Sequence, residues 1–260
     1  MYKKKQKAKY NTWIRKKRIA IFSLITFLLI LTSFFLLKIN LIIGIISGCF
    51  AIPFAYIVFV LSYTYYQFSE NGNDYQSKIH DLIVGNIKNR TGCLLEIGTG
   101  SASLIIKAAK ILPNIIMTGI DYWGNEWEYS KNLCEKNAQI EGVDHQINFI
   151  QASASKLPFE NDKFDIIISC LTFHEVKDTK DKILVLKEAF RTLKKGGEFI
   201  FLDLFFDKNI FDEYSSLIKT MNTFGFKEFV IIKLNEIISL PKLLLNKNIL
   251  GNAALMKGIK

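Results

Sequence analysis

The sequence predicts an α/β fold: a doubly wound, mostly parallel sheet of seven strands, the last strand antiparallel, preceded by an α-helical transmembrane hairpin. From residue 75 to residue 260, apolar stretches of strand length alternate with amphipathic stretches of helix length, as in a parallel sheet with helices on both faces. Before them lie two apolar runs of about 20 residues, the length at which a helix crosses a bilayer. We therefore expect a basic tail at 1–18, two transmembrane helices within 19–63, a linker at 64–74 and a globular domain at 75–260.

The N-terminal tail, residues 1–18, contains nearly all of the net charge. It has nine Lys and Arg residues and no Asp or Glu, whereas the whole chain of 260 residues has a net charge of +10. The rest of the chain is therefore close to neutral. Because a nucleic-acid-binding domain needs a basic face of its own, we expect no nucleic-acid partner.

The transmembrane hairpin is predicted from apolar runs at 19–37 and 41–61. A buried core hairpin and a cleaved signal peptide are the alternatives, and Cys49 ends a lipoprotein-like box inside the second run. Nine basic residues precede the first run and a single Lys lies between the two runs, so the N-terminus is expected in the cytoplasm. Two crossings return the chain to the same side. We expect an integral protein of the cell membrane with a cytoplasmic domain.

The linker at 64–74 ends in Asn71-Gly72-Asn73-Asp74, a polar turn sequence. Helical spacing of apolar residues then predicts a helix at 75–88. The four Cys residues have no C-x-x-C spacing and the three His residues are scattered, so we expect free thiols and no metal site.

A strand, a glycine turn and a helix follow one another at 93–111, and the other elements are placed relative to them. Cys93–Ile97 is apolar except for one acidic residue, as a buried parallel strand should be. Gly98 and Gly100 allow a tight turn and a close approach of the backbone to a ligand. Ser101 or Ser103 is expected to cap the helix at 104–111, whose N-terminal amides face the same spot. A small polar cofactor would bind at this turn.

Glu96, two residues before the first glycine, distinguishes two kinds of cofactor. A dinucleotide-binding turn has a third glycine where this chain has Ser103, and a carboxylate at Glu96 would repel a pyrophosphate but suit a cation. The segment Glu96-Ile97-Gly98-Thr99-Gly100 resembles the first motif of the class I S-adenosylmethionine-dependent methyltransferases. The cofactor of that family has an amino group and a sulfonium, so a nearby carboxylate is chemically sensible.

The second strand, at 114–120, ends at Asp121, which lies 21 residues after Gly100. A carboxylate at this separation accepts hydrogen bonds from the ribose hydroxyls of a nucleotide. Methyltransferases and dehydrogenases share the feature, so Asp121 predicts a nucleoside cofactor without choosing between them. A helix at 126–138 and a third strand at 146–150 come next.

Segment 151–159, Gln-Ala-Ser-Ala-Ser-Lys-Leu-Pro-Phe, resembles the methyltransferase segment that contacts adenine. The resemblance places Tyr122 and Ala154 on the faces of adenine and Ser153 at its amino edge. Members of the family commonly have Asp where Ser153 stands. A hydroxyl is a weaker partner than a carboxylate, so this departure bears on how tightly adenine is held.

The fourth strand, at 166–169, ends in Ser169, which we assign to the cofactor site. The loop after it lies at the edge where ligands of open parallel sheets bind. Thr172 and His174 belong to this loop and are predicted to face the substrate. His174 would orient the substrate or accept its proton.

The remaining segments complete the sheet. An amphipathic helix is predicted at 181–193, with Lys194-Lys195 offsetting its dipole, Gly196-Gly197 ending it and a fifth strand at 198–204. A helix at 211–222 and strands at 228–233 and 252–258 follow. An apolar insertion at 236–245 is expected near the membrane.

The resemblance covers residues 75–260 and implies a Rossmann-like methyltransferase domain with S-adenosylmethionine as its cofactor. It implies direct attack of a substrate atom on the methyl group, with Glu96, Gly98, Thr99 and Gly100 holding the methionine part and Asp121 the ribose. The hairpin favours a small or lipid-like substrate. A nicotinamide-dependent oxidoreductase and a membrane-tethered S-adenosylmethionine-binding protein without catalysis stay open as alternatives, and so does the oligomeric state.

Overall fold

The computed structural model of the protein describes residues 6–124 and 127–260. These residues form two compact units. One unit is Asn11–Ser77, and the other joins residues 6–10 to Lys78–Lys260. Each unit is described separately below.

The first unit consists mainly of apolar helices: α1 (Lys16–Leu37), α2 (Leu41–Cys49) and α3 (Ala51–Phe68). The second predicted span is thus divided at Phe50, whose backbone remains right-handed helical. Pro53 lies three residues further on and has no N–H to donate to the preceding turn, which explains an interruption here. α3 continues to Phe68 instead of ending near residue 63, so the polar turn between the two regions covers only 69–74.

By length and composition, two stretches of the described chain are suited to cross a membrane: Lys16–Leu37 and Leu41–Phe68, with mean hydropathies of 2.6 and 2.3. Their contact depends on small residues. A Cβ on Gly44 would lie 2.7 Å from the Cα of Leu37, and the Ser33 hydroxyl donates a hydrogen bond of 2.7 Å to the Gly44 carbonyl. Small and hydroxyl residues are typical of closely packed helices in lipid.

The second unit is built on a sheet of seven strands in the order β3-β2-β1-β4-β5-β7-β6. Strands β1 to β5 are parallel, and β7 runs antiparallel to both β5 and β6. The predicted mostly parallel sheet with an antiparallel last strand is therefore confirmed. The strands are β1 (Cys93–Ile97), β2 (Ile116–Asp121), β3 (Ile147–Gln151), β4 (Phe164–Cys170), β5 (Leu193–Asp203), β6 (Glu228–Lys233) and β7 (Ala254–Ile259).

The strand order places the switch of chain direction between β1 and β4. From β1 the chain builds outward through β2 to β3, and then returns to add β4 on the other side of β1. Loops at the carboxyl ends of β1 and β4 therefore diverge and leave a crevice, which is where open parallel sheets bind ligands.

Helices cover the sheet: α4 (Tyr75–Gly85), α5 (Ser103–Ile111), α6 (Lys131–Glu141), α7 (Lys182–Thr192), α8 (Lys208–Phe211), α9 (Tyr214–Asn222) and α10 (Leu234–Ile237). The helix expected from residue 126 begins only at Lys131, where Ser130 caps it through the Leu133 amide; Glu126 itself lies outside the described residues. The helix expected at 211–222 is divided by Asp212, whose φ of 62° is incompatible with a right-handed helix.

The boundary between α7 and β5 differs from the prediction. α7 ends at Thr192, and β5 begins at Leu193, which pairs with Phe164 of β4. Gly196 and Gly197 are therefore part of a strand and do not end the helix. Lys194 also belongs to this strand, and its ammonium lies 2.9 Å from the carboxylate of Asp165. Strand pairing, a tertiary contact, overrides the local stop signal of two glycines.

An aromatic core fills the face of β4 and β5. The ring of Phe190 on α7 lies 4.9 Å from that of Phe199 and 4.7 Å from that of Phe226, measured between centroids. These edge-to-face contacts fix α7 against the sheet. The loops at the carboxyl ends of β3, β4 and β5 are thus built on a rigid support.

Candidate active site

The glycine turn connects β1 to α5 and is fastened to β2. The amides of Gly98 and Thr99 donate hydrogen bonds of 2.8 and 2.9 Å to the carbonyl of Ile120. Gly98 has a φ of 83°, and a Cβ there would lie 1.9 Å from the hydroxyl of Thr172. Only glycine fits this position, because the loop after β4 packs directly against it.

The predicted serine cap of α5 is wrong. The residue at the cap position is Ala102, which has a left-handed φ of 67° and makes no side-chain cap. Instead the carboxyl group of Glu96 on β1 accepts a hydrogen bond from the amide of Ile105 in the first turn of α5. When this carboxyl group is ionised, its negative charge also complements the helix dipole.

Glu96 is buried beneath the turn, with 2% of its surface exposed. The Thr99 hydroxyl donates a hydrogen bond of 3.0 Å to its Oε2. Burial raises the pKa of Glu96 to about 8, and the negative charge of Asp121 adds to the effect. A ligand with a positive group near this carboxyl would favour its ionised form.

Asp121 ends β2 beside the turn. Its Oδ2 accepts a hydrogen bond of 2.8 Å from the Gly100 amide, and its Oδ1 accepts one of 2.9 Å from the Trp123 amide. Burial raises the pKa of Asp121, although these amide hydrogen bonds act against the shift. The Tyr122 amide also donates to this carboxylate, and three donors leave lone-pair capacity for a hydroxyl hydrogen.

Trp123 is a residue of this region to which the sequence analysis assigned no role. Its indole Nε1 donates a hydrogen bond of 3.0 Å to the carbonyl of Gly100, so its ring lies against the glycine turn. Tyr122, predicted to contact adenine, is exposed, and its carbonyl accepts a hydrogen bond of 2.8 Å from the side chain of Gln151. A pair of aromatic residues after the strand-terminal acid, Tyr122 and Trp123, was the available signal.

A second support of the turn comes from the N-terminal residues of this unit. Asn137 on α6 is buried, and its side-chain amide donates hydrogen bonds to the carbonyls of Lys9, at 2.9 Å, and Ser101, at 3.0 Å. Its Oδ1 accepts a hydrogen bond of 2.9 Å from the Lys9 amide. The tail is therefore attached to the helix and the turn through one side chain.

The loop after β3 contains Ser153 and the buried Ala154. The hydroxyls of Ser153 and Ser155 both donate to Oδ2 of Asp178, at 2.6 and 2.5 Å. Further along this loop, the amide of Leu157 donates a hydrogen bond of 2.8 Å to the carboxylate of Glu188 on α7. Arg191 of α7 forms an ion pair with the same carboxylate at 2.7 Å. α7 thus holds the loop in place. Asp178 belongs to the loop after β4 and had not been predicted as a site residue.

The end of β4 and the loop after it hold the other predicted residues. Ser169 is buried, and its hydroxyl donates a hydrogen bond of 2.9 Å to the carbonyl of Ile97 on β1. Thr172 packs against Gly98, and its hydroxyl donates a hydrogen bond of 3.2 Å to the carbonyl of Cys170. Ser169 and Thr172 therefore connect this loop to β1 and to the glycine turn.

His174 pairs with Asp203, the last residue of β5, at 2.7 Å between Nδ1 and Oδ1. Asp203 is fully buried and also accepts hydrogen bonds from the amides of Thr172, Phe173 and Leu204, at 3.0, 2.8 and 2.7 Å. These donors keep Asp203 an acceptor, so Nδ1 of His174 is the donor. Nε2 then lies on the other side of the ring, 3.7 Å from Oε1 of Glu175, with its lone pair available for a proton.

The pKa of His174 is raised. Burial alone would lower it, but the charge of Asp203 and the hydrogen bond to Asp203 outweigh burial. His174 keeps 19% of its side-chain surface exposed, whereas Asp203 keeps none. This is the arrangement of a general base that an acid orients. The sequence analysis missed Asp203, although it ends a strand at the same sheet edge as Asp121.

Within the described ranges, 6–124 and 127–260, His, Cys, Asp and Glu side chains form no group of three or more that could hold a metal ion. Cys93, Cys134 and Cys170 of this unit are free thiols. Burial raises the pKa of Cys134 and of Cys170 well above the ordinary range, which makes both thiols unreactive at neutral pH.

Comparison with known proteins agrees with this geometry. Residues 95–201, which include the glycine turn, Asp121 and His174, match the family described as a methyltransferase domain. The chain is 29% identical over 149 residues to the ubiquinone/menaquinone biosynthesis C-methyltransferase UbiE of Vibrio vulnificus, covering 56% of this chain and 51% of that protein. It is 29% identical over 133 residues to the demethylmenaquinone methyltransferase of Lactococcus lactis, covering 48% and 49%. The chain thus spans about half the length of these relatives.

Solved structures with the same fold include several methyltransferases. Geranyl diphosphate C-methyltransferase from Streptomyces coelicolor, in complex with S-adenosyl-L-homocysteine, has a TM-score of 0.55 at 11% identity over 71% of this chain and 79% of that chain. Phosphoethanolamine N-methyltransferase 2 of Haemonchus contortus has a TM-score of 0.54 at 13% identity over 75% and 56%. The [4+2]-cyclase SpnF has a TM-score of 0.53 at 15% identity over 70% and 80%. These similarities show the fold, which hosts more than one chemistry.

Proposed function

We propose that this chain, which contains a class I S-adenosylmethionine-dependent methyltransferase domain, methylates a lipid-soluble phenol or quinol at the cytoplasmic side of a membrane. Its cofactor is S-adenosylmethionine. The methyltransferase family match decides against the nicotinamide-dependent oxidoreductase. The observation that supports the phenol or quinol most directly is the pair formed by His174 and Asp203.

The residues around the glycine turn fit the cofactor chemically. Glu96 is a buried acid whose ionisation a nearby ammonium or sulfonium would favour. The carboxylate of Asp121, with three amide donors, keeps lone-pair capacity for a ribose hydroxyl. Gly98, Thr99 and Gly100 would hold the methionine part with Glu96, Tyr122 and Ala154 would contact the faces of adenine, and Ser153 and Ser169 would complete the cofactor site. When bound, the cofactor supplies a methyl group on a sulfonium.

His174 is proposed as the general base. A phenol or quinol is a poor nucleophile until its hydroxyl proton leaves, and Nε2 of His174 is the lone pair available to take that proton. In a quinol, the ring carbon beside the deprotonated oxygen would then form the bond to the methyl group as the bond from that methyl group to sulfur breaks. The hydrogen on that carbon would leave as a proton when the ring becomes aromatic again. Asp203 holds the ring with Nδ1 as donor and stabilises the imidazolium that forms. Thr172 would help to position the acceptor. The loop that bears both side chains packs against Gly98, which supports their placement beside the reacting methyl group.

The proposed location in the membrane is supported by the two apolar stretches and by the distribution of charge. Lys16–Leu37 and Leu41–Phe68 are long and apolar enough to cross a bilayer. The basic tail before them favours a cytoplasmic N-terminus, and two crossings leave the methyltransferase domain on the same side. The relatives from Vibrio vulnificus and Lactococcus lactis are named for quinone methylation. A prenylated quinol is a substrate that an enzyme anchored in this way would meet in the lipid.

The proposal is tested with the full-length protein in lipid nanodiscs, methyl-tritiated S-adenosylmethionine and reduced demethylmenaquinone as the probe. We expect label in the extracted quinol. His174→Gln should lower kcat about 100-fold or more, since a positioned general base contributes about that much, and should leave S-adenosylhomocysteine binding intact. His145→Gln, which alters an exposed histidine, is the matched control.

Two results would count against the proposal. If the protein binds the cofactor but labels no quinol or phenol in lipid extracts, the binding protein without catalysis gains support. If His174→Gln is as active as the unaltered protein, the general-base role of the pair is wrong.

A further inference from the structure

The cluster of Ser153, Ser155 and Asp178 joins two loops at the carboxyl edge of the sheet. Both hydroxyls donate to Oδ2 of Asp178, and the hydroxyl oxygens are themselves 3.0 Å apart. The Ser155 amide donates a further hydrogen bond of 3.2 Å to the Ser153 hydroxyl. The carboxylate is therefore held in one orientation by two side chains from another loop.

The position of the cluster follows from the strand order. Ser153 follows β3 and Asp178 follows β4, and these strands are separated by β2 and β1. At about 4.8 Å between neighbouring strands, β3 and β4 are about 14 Å apart. Because Ser153 and Asp178 are in contact, their loops close this gap, and the strand ends that lie between them are those of β2 and β1, which lead into Asp121 and the glycine turn.

The chemistry of the cluster suits a hydrogen-bond donor on the ligand. If Asp121 binds the ribose, the base extends from β2 toward the next strand end, which is the loop after β3. Both serine hydroxyls donate to Oδ2 of Asp178, and with the hydrogen bond from its own backbone amide the carboxylate still has lone-pair capacity at Oδ1 for another donor. The serine hydroxyls lower the pKa of Asp178 against the effect of its partial burial, which keeps the group ionised at neutral pH.

We propose that Asp178 recognises the exocyclic amino group of adenine through Oδ1, with Ser153 and Ser155 as the positioning residues. This inference rests on the proposed cofactor site and assigns its base specificity to the loop after β4. Asp178 lies four residues after His174, so one loop would contact both the nucleoside base and the methyl acceptor.

The test is calorimetry on the full-length protein with S-adenosylhomocysteine and S-inosylhomocysteine, in which a carbonyl replaces the adenine amino group. The unaltered protein should prefer the adenine compound. Asp178→Ala should weaken S-adenosylhomocysteine binding about 10- to 100-fold, the usual range for a charged hydrogen bond, and should remove the preference. Glu160→Ala, which removes an exposed carboxylate from the loop after β3, is the control and should change neither.

A second variant shows whether the loss of affinity comes from the missing carboxylate or from a disturbed structure. Ser153→Asp combined with Asp178→Ala returns a carboxylate to the same place from the other loop, and should recover most of the affinity and the preference for adenine. The role of Asp178 would be overturned, with the proposed function left standing, by either of two results. One is that Asp178→Ala weakens the binding of both compounds equally, and the other is that the double variant binds as weakly as the single variant. If the unaltered protein binds neither compound, the proposed function fails together with this inference.

Discussion

Glu96 links cofactor binding to pH. Its pKa of about 8 means that the carboxyl group is mostly protonated in the free protein at neutral pH, whereas a bound ammonium favours the carboxylate. Binding should therefore release a proton, and S-adenosylhomocysteine affinity should rise up to about tenfold per pH unit from pH 6 until it levels off above about pH 8. Calorimetry in two buffers of different ionisation enthalpy measures the released proton.

Glu96→Gln is the control for this effect, because it keeps the shape of the side chain and cannot ionise. Its affinity should be independent of pH between 6 and 8. A parent protein with flat affinity over this range would show that Glu96 is not coupled to the ligand.

His80 on α4 should make the fold sensitive to acid. Burial lowers its pKa to about 3, with the positive charge of Lys107 acting in the same direction, while the unfolded chain keeps the ordinary value of about 6.5. The unfolded state therefore binds more protons as pH falls below 6.5, and this contribution to stability is lost toward pH 3. At pH 5 the loss is about 2 kcal/mol relative to pH 7.

Chemical denaturation of the parent and of His80→Gln at pH 7 and pH 5 isolates this contribution. Glu96 has the opposite effect on the free energy of unfolding. Because its pKa is raised in the folded state, protonation stabilises the folded state as pH falls from 8 toward 4.5. The comparison of parent with variant removes that effect. An equal response to pH in both proteins would show that His80 does not titrate as expected.

At the scale of single residues, sequence reasoning located the groups that belong to a recognisable spacing. Gly98, Gly100 and Asp121 were predicted from spacing, and they lie around one turn. Asp178 and Asp203 were not predicted, because no motif relates them to Ser153 and His174, their partners 25 and 29 residues away in sequence. Only the order of the strands brings such residues together.

Among the elements, the contact between the glycine turn and the loop after β4 can be probed with a single substitution. Gly98→Ala would add a methyl group 1.9 Å from the Thr172 hydroxyl, in a left-handed backbone. We expect a loss of stability of more than about 3 kcal/mol, together with weaker S-adenosylhomocysteine binding, because the loop with His174 must shift. Denaturation and calorimetry measure the two effects.

Gly142→Ala separates backbone strain from the clash. Gly142, at the end of α6, has a similar φ of 73°, and a Cβ there meets nothing within 4 Å. The Gly142→Ala substitution should lower the free energy of unfolding by only about 1 kcal/mol and leave ligand binding unchanged. Equal losses for the two variants would mean that the contact with Thr172 is unimportant.

The elements themselves were largely predictable, since apolar periodicity gave the strands and most helices in the right order. The errors occurred where tertiary contacts compete with local signals. Leu193 pairs with Phe164, so β5 begins before the two glycines. In the first turn of α5, the Ile105 amide donates its hydrogen bond to Glu96 on the preceding strand, and neither nearby serine caps the helix.

For the whole molecule, the arrangement of charge and apolar helices predicts a defined orientation in the membrane. The protein should remain in the membrane fraction after alkaline extraction. Fusions of alkaline phosphatase, which is active only outside the cytoplasm, should be inactive at residue 260 and active at Asn40, between the two apolar stretches. An active fusion at residue 260, or release of the protein by alkali, would contradict two crossings with both ends inside.

The attachment of Lys9 to Asn137 has a consequence for the limits of the catalytic fold. Because residues 6–10 pack with Lys78–Lys260, this unit is discontinuous in the chain and the apolar helices are an insertion within it. A polypeptide beginning at residue 75 would leave the Asn137 amide, now buried, without two of its three hydrogen bonds, at a cost of about 1–3 kcal/mol. Residues 6–10 are therefore expected to contribute to the full stability of this unit.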